Sequence, residues 1–78
     1  MPTEYLQQPD TKIIIGEVVA VVPQYHQTIV ATDGGWQYSI TRKAQGPAWD
    51  TLSEGDMVEL LVYSAIPIVK EVLNVNKS

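Results

Sequence analysis

An all-β fold, a small barrel of five short strands, is predicted from three observations on the sequence. The chain has 78 residues, no cysteine and one histidine, so a single compact domain must fold without a disulfide or a multi-histidine metal site. Isoleucine and valine dominate from Lys12 onward, and β-branched residues favour strands. Glycine, proline and aspartate interrupt the apolar runs at short intervals, which is typical of turns between strands.

The predicted domain covers residues 12–75. Residues 1–11 are polar and lack periodicity, so we interpret them as a flexible lead-in, and residues 76–78 as a short tail. The longest apolar runs are far too short to cross a bilayer, and no targeting segment is recognised. The cytoplasm is the expected location, because the absence of cysteine is usual there and less usual in secreted domains.

The first predicted strand, residues 12–22, is apolar on both faces except at Glu17. The face of the strand that contacts the core should therefore change along its length, as it does in a bent barrel strand. Gly16 lies within it and predicts a bulge or bend that carries the strand from one face to the next. Pro23 ends the strand, and residues 23–26 form a loop.

A hairpin is predicted to join the second and third strands, residues 27–32 and 36–42. They flank Asp33-Gly34-Gly35, whose glycines supply the positive φ of a tight turn. The period of two places an aromatic and apolar set on one face of the third strand: Trp36, Tyr38, Ile40 and Arg42. Its other face is polar.

A short helical connector is predicted between the third and fourth strands. Pro47 suits the first position of a helical turn, and Trp49 and Leu52 are spaced so that both can close one end of the barrel. The fourth and fifth strands are predicted over residues 57–63 and 68–75. This order of elements is that of an oligonucleotide/oligosaccharide-binding (OB) barrel, with an SH3-like barrel as the alternative.

Three segments carry a resemblance to known domains. They are Gly16-Glu17-Val18 with Val21, the turn Asp33-Gly34-Gly35, and the run from Leu52 through Gly55-Asp56 to Leu60. In these the chain resembles the small bacterial RNA-binding OB domains of translation initiation factor one and of the repeated domain of the large ribosomal RNA-binding protein. The match covers most of residues 16–60.

The resemblance implies a non-enzymatic module that binds single-stranded RNA or DNA through an aromatic face of strands two and three. Under this hypothesis six residues bind the ligand. Trp36 and Tyr38 stack on bases, and Arg42 and Lys43 contact phosphate. Tyr25 and His26 form a second stacking surface in the first loop. The net charge of −4 disfavours binding driven by long-range attraction to phosphate. We therefore expect aromatic stacking to contribute more to binding than attraction between charges.

Each of these residues also has a structural interpretation. Trp36 and Tyr38 share a face with Ile40, which favours packing of both rings in the core. Arg42 and Lys43 can form a solvated strand end. The alternative function is a protein interaction or assembly module, as a homodimer or on a larger partner, acting through an edge strand or the aromatic face.

No catalytic or metal motif is recognised. His26 has no Ser, Cys or carboxylate beside it in a known arrangement, and one histidine makes a poor zinc site. The acidic residues of the turns are scattered, which turn and cap chemistry explains without a calcium loop. We therefore expect neither an enzyme nor a cofactor nor a bound metal.

Overall fold

The computed structural model describes residues 10–78, so residues 1–9 of the predicted lead-in lie outside the described part. It is all-β, as predicted, with strands β1 (Thr11–Val22), β2 (Gln27–Ala31), β3 (Gln37–Thr41), β4 (Met57–Tyr63) and β5 (Val69–Asn76). Pro23–Tyr25 and Trp49–Thr51 form single 3-10 turns. Within residues 10–78, no helix is long and apolar enough to cross a membrane.

The five strands form one antiparallel sheet in the order β3-β2-β1-β4-β5. The sheet curls into a half-barrel until its two edge strands meet. There Ser39 forms a parallel bridge with Ile68, and its N–H donates to the carbonyl of Pro67 at 3.1 Å. Farther along, the N–H of Gln45 donates to the carbonyl of Lys70 at 3.0 Å. We call this line of contact between β3 and β5 the seam.

Inward side chains from all five strands form one core. Its alternation is clearest on β4, where Val58, Leu60 and Val62 are buried and the residues between them are not. The other buried apolar side chains are Val18, Val30, Tyr38, Ile40, Leu52, Val69 and Val72. Valine and isoleucine suit these positions because their branched side chains pack well on a pleated surface.

The bulge of β1 lies at Val19, between Val18 and Ala20 in the pairing with β2, and not at Gly16 where it was predicted. Gly16 has a different role, because β2 approaches it closely. A Cβ atom at Gly16 would lie 2.5 Å from Val30 Cγ1 and 2.8 Å from the carbonyl oxygen of Ala31. The position therefore excludes any side chain.

The hairpin between β2 and β3 is confirmed, with one difference in the turn. The N–H of Gly35 donates to the carbonyl of Thr32 at 3.0 Å, and the N–H of Thr32 donates to that of Trp36 at 2.9 Å. Gly35 has a φ of 84°, whereas Gly34 has no positive φ. Trp36 therefore belongs to the turn, and β3 begins one residue after it.

The predicted helical connector is wrong in its extent, because only the 3-10 turn Trp49–Thr51 forms. Ala48 before the turn and Leu52 after it both have extended backbones, with ψ of 153° and 154°. The chain thus enters and leaves the turn in a strand-like conformation, and no further helical residue fits. Pro47 precedes the turn instead of starting it.

The apolar residues of the connector pack on the core of the half-barrel. Leu52 is buried in the core, and half-buried Trp49 packs against it. The hydroxyl of buried Thr28 on β2 donates a hydrogen bond of 2.7 Å to the carbonyl of Trp49. This bond holds the connector against β2.

Buried Asp56 organises the turn before β4. Its carboxylate accepts hydrogen bonds from the N–H groups of Ser53 at 2.9 Å and Ser78 at 3.2 Å. It also accepts one from Lys77 Nζ at 2.9 Å. The Lys77 hydrogen bond, followed by the backbone donor at Ser53, lowers the pKa of Asp56. Residues 77 and 78, predicted as a tail, are thus bonded to the body of the domain.

Candidate functional site

A cleft of about 340 Å³ lies between the loop before β2, the end of β3 and the residue before β5. The six residues that line it are Tyr25, His26, Thr41, Arg42, Lys43 and Ile68. Four of these, all except Thr41 and Ile68, are ligand-binding residues predicted from the sequence. Gln27 pairs with Thr41, so the register of β2 on β3 holds the loop beside the end of β3. The volume falls within the ordinary range of ligand sites.

One wall of the cleft is formed by Tyr25 and His26, which are both exposed. His26 has a left-handed backbone with a φ of 53°, and its N–H donates to the carbonyl of Pro23 at 3.1 Å. Its ring contacts the ring of Trp49 edge to face, with centroids 5.7 Å apart. Because Trp49 packs against the core, this contact gives the histidine ring a defined position.

The two cations that line the cleft, Arg42 and Lys43, lie in the turn that follows β3. The N–H of Ala44 donates to the carbonyl of Thr41 at 3.1 Å, and the N–H of Lys43 donates to the Thr41 hydroxyl at 3.3 Å. Neither cation has an ion-pair partner among residues 10–78. No acidic residue lines the cleft, so its local charge is positive although the chain is acidic.

A smaller cavity of about 130 Å³ lies at the other end of β3. Its lining residues are Lys12, Trp36, Tyr38, Tyr63, Ser64, Ala65, Ile66 and Pro67. The exposed fraction of Trp36 is 69%, so its ring is available to a ligand. The smaller cavity thus offers an exposed ring and the cation of Lys12 on one surface.

The aromatic face predicted on β3 does not act as one surface. Tyr38 and Ile40 point into the core, and Tyr38 is only 7% exposed. The core interpretation is thus confirmed for Tyr38 and wrong for Trp36, which is exposed in the turn before β3. Arg42 lies beyond the end of the strand. The outward face of β3 is polar and carries Gln37, Ser39 and Thr41.

Several residues around the two sites were missed by sequence reasoning. Ile68 reaches the cleft because β5 meets β3 at the seam. Lys12 and Tyr63 reach the smaller cavity because Thr11 pairs with Tyr63 between β1 and β4. No local pattern signals these positions, because they depend on pairing between distant strands. Correct strand order and register would have been needed to find them.

Charge is unevenly distributed over the sheet. Three of the five basic residues, Lys12, Arg42 and Lys43, line the cleft or the smaller cavity, and no acidic residue does. Within the described part of the chain, no three His, Cys, Asp or Glu side chains are grouped as a metal site would require. The two sites therefore provide aromatic side chains that can stack on a ligand and cationic side chains that can bind an anionic group.

Comparison of the chain with known protein families, with characterised proteins and with solved structures gave no match in any of the three. The class of molecule is therefore defined by its fold and its cleft. It is a five-stranded all-β half-barrel with a positively charged cleft beside its seam.

Proposed function

We propose that this domain is an OB-type barrel that binds single-stranded nucleic acid, RNA or DNA, without catalysing a reaction. The observation that carries the proposal is the composition of the cleft, which combines two aromatic rings and two cations with no acid. Aromatic rings stack on bases of any identity, and cations contact the phosphates between them. The proposed setting is the cytoplasm, where single-stranded RNA is abundant.

The strand order supports the OB part of the proposal. Taken from β4, the first four strands lie in the order 4-1-2-3, which is a Greek key, and an OB barrel is a Greek-key barrel of five strands. The loops that flank the cleft and the smaller cavity join β1 to β2 and β4 to β5. These are the loops with which OB barrels bind oligonucleotides. In an SH3-like barrel, the first strand pairs with the last, whereas here β1 lies between β2 and β4.

Each group in the cleft has a role under this proposal. Tyr25 stacks on a base, which contributes about 1–3 kcal/mol per base. The guanidinium of Arg42 donates to phosphate oxygens as a fork, and Lys43 adds a second charge. His26 forms the wall against which the stacked base rests.

The smaller cavity extends the proposed path along β3. Trp36 and Arg42 are six positions apart, a distance of roughly 20 Å along an extended chain. A ligand that reaches both Trp36 and the cleft must therefore be an extended chain of several nucleotides. A dinucleotide should occupy one site only.

Fluorescence anisotropy with labelled octamers of uridine and of thymidine, at about 50 mM and about 200 mM salt, tests the proposal. Binding is expected for the intact protein at the lower salt, with a clear loss of affinity in Arg42→Ala. Asn76→Asp lowers the net charge by the same amount at an exposed position outside the cleft, and should leave binding almost unchanged. Absence of binding to both octamers at the lower salt would overturn the proposal.

A further inference from the structure

The outward surface of β1 and β4 is apolar to an unusual degree. Ile13 is 59% exposed and Ile15 is 64% exposed. Across the ladder Ile13 pairs with Leu61, and Met57 is a further exposed apolar side chain on β4. Paired residues point to the same side of a sheet, so these side chains form one continuous surface.

Acidic residues lie within the same surface. Glu59 pairs with Ile15, and Glu17 pairs with Met57. Glu71 on β5 extends the row of Ile13 and Leu61. We call the surface formed by these seven residues the outer face: Ile13, Ile15, Glu17, Met57, Glu59, Leu61 and Glu71. Its seven side chains include three carboxylates, and its basic neighbours in the chain are Lys12, which lines the smaller cavity, and Lys70.

We propose that the outer face docks an amphipathic helix of a partner protein, with an apolar stripe flanked by lysine or arginine. The isoleucines and Met57 supply apolar contact to the stripe. The flanking cations pair with Glu17, Glu59 and Glu71, which would otherwise lose solvent without compensation. The partner is thus defined by its charge as well as by its apolar residues.

The same carboxylates argue against other occupants. A second copy stacked on this face would add three more carboxylates to the interface without adding a cation from the same seven positions, and an excess of like charge at an interface is unfavourable. An anionic membrane or a nucleic acid would be repelled for the same reason. The outer face is also separate from the residues that line the cleft, so docking there does not depend on the proposed nucleic-acid function.

The test uses a synthetic helical peptide with a leucine stripe flanked by lysines, and a second peptide in which glutamates replace the lysines. Peptide binding is followed by changes in backbone amide NMR signals. The lysine peptide is expected to shift the signals of Ile13, Ile15, Met57 and Glu59. The glutamate peptide is expected to shift none of them.

Three variants decide whether the outer face is responsible. Ile15→Lys removes an apolar anchor and should lower the affinity for the lysine peptide by about tenfold or more. Glu17→Lys removes one charge pair and should lower it by about two- to fivefold. Asp50→Lys changes the net charge equally on the exposed 3-10 turn, outside the outer face, and should not change the affinity.

Equal affinity in Glu17→Lys and Asp50→Lys would overturn the proposal, as would signal shifts confined to Tyr25, Arg42 and Lys43. Sedimentation of the intact protein as a dimer that Ile15→Lys converts to a monomer would assign the face to a second copy instead. Binding to vesicles of anionic lipid that Ile15→Lys abolishes would assign it to a membrane. Octamer binding should be the same in Ile15→Lys and in the intact protein, so the two proposals can fail separately.

Discussion

Lys77 donates a hydrogen bond of 2.9 Å to the carboxylate of Asp56, which joins the segment after β5 to the turn before β4. The lysine also donates to the carbonyl of Thr51 at 2.6 Å. One side chain therefore ties together the connector, the turn and the end of the sheet. Asp56 is buried, whereas the side chain of Lys77 is largely exposed. The two side chains should therefore contribute unequally to the stability of the domain.

Replacing Asp56 by alanine should lower the melting temperature more than replacing Lys77 by alanine. Asp56→Ala removes the acceptor of three hydrogen bonds at once, from the N–H groups of Ser53 and Ser78 and from Lys77 Nζ. Lys77→Ala removes one donor from a carboxylate that keeps two others. Thermal unfolding followed by circular dichroism measures both, and equal losses would show that the ion pair alone matters.

The free energy of unfolding should decrease at acidic pH, because Asp56 becomes protonated there. Its folded-state pKa lies below the ordinary value of 3.8, so the folded state binds fewer protons than the unfolded state. The stabilisation is complete above the ordinary pKa and is lost as the pH falls through the lowered one. Urea unfolding between about pH 5 and about pH 2 should show this loss. Asp56→Asn should show a shallower decline over the same range.

The strands and the hairpin could be predicted because they depend on local patterns. The alternation of Val58, Leu60 and Val62 set the bounds of β4 correctly. Trp36 and Tyr38 have the same parity, yet one is exposed and the other is buried. Parity within a strand does not reveal that the strand begins after Trp36.

Other contacts could not be predicted from the sequence, because they depend on pairing between segments that are distant along the chain. Four cleft residues were predicted because rings and cations were recognisable by type, whereas Ile68 enters only through the seam. The bonds of Asp56 to Lys77 and Ser78 span more than twenty residues and follow no sequence period. The role of Gly16 was missed because its neighbours Val30 and Ala31 are known only from the register.

Replacing Trp36 by alanine should separate binding from stability. Because the side chain is largely exposed, the free energy of unfolding should change by no more than about 0.5 kcal/mol. Affinity for an octamer should fall by about 1–3 kcal/mol if a base stacks on the ring. Ile40→Ala, in the core, should cost about 2–5 kcal/mol of stability by urea unfolding. Destabilisation of Trp36→Ala to the extent of Ile40→Ala would contradict its assignment as an exposed ring.

Gly16→Ala should destabilise the domain by about 1–3 kcal/mol, because β1 and β2 must separate to admit the methyl group. Gly34→Ala is the matched control. Its new methyl would meet only the exposed Trp36 side chain, at 3.3 Å, which can move. Urea unfolding of both variants measures the difference, and equal stability would contradict the close approach of β2 to Gly16.

Octamer binding should depend only modestly on salt. Each phosphate neutralised on a single strand contributes about −0.7 to the slope of log affinity against log salt concentration. Arg42 and Lys43 together therefore predict a slope of about −1.4, and Arg42→Ala should reduce its magnitude by about 0.7. Anisotropy titrations over several salt concentrations give the slope. A slope several times steeper would mean that phosphate contacts lie beyond this cleft.

The seam has a consequence for how the domain opens. β1 and β4 pair over the whole length of β4, whereas the seam has only two isolated bridges, at Ser39 and Gln45, and a few backbone hydrogen bonds. Amide hydrogen exchange should therefore be faster at the seam than in the β1–β4 ladder. The cleft has Thr41 on one side of the seam and Ile68 on the other. A ligand that contacts both residues favours the state in which the seam is formed, so its binding suppresses local opening there.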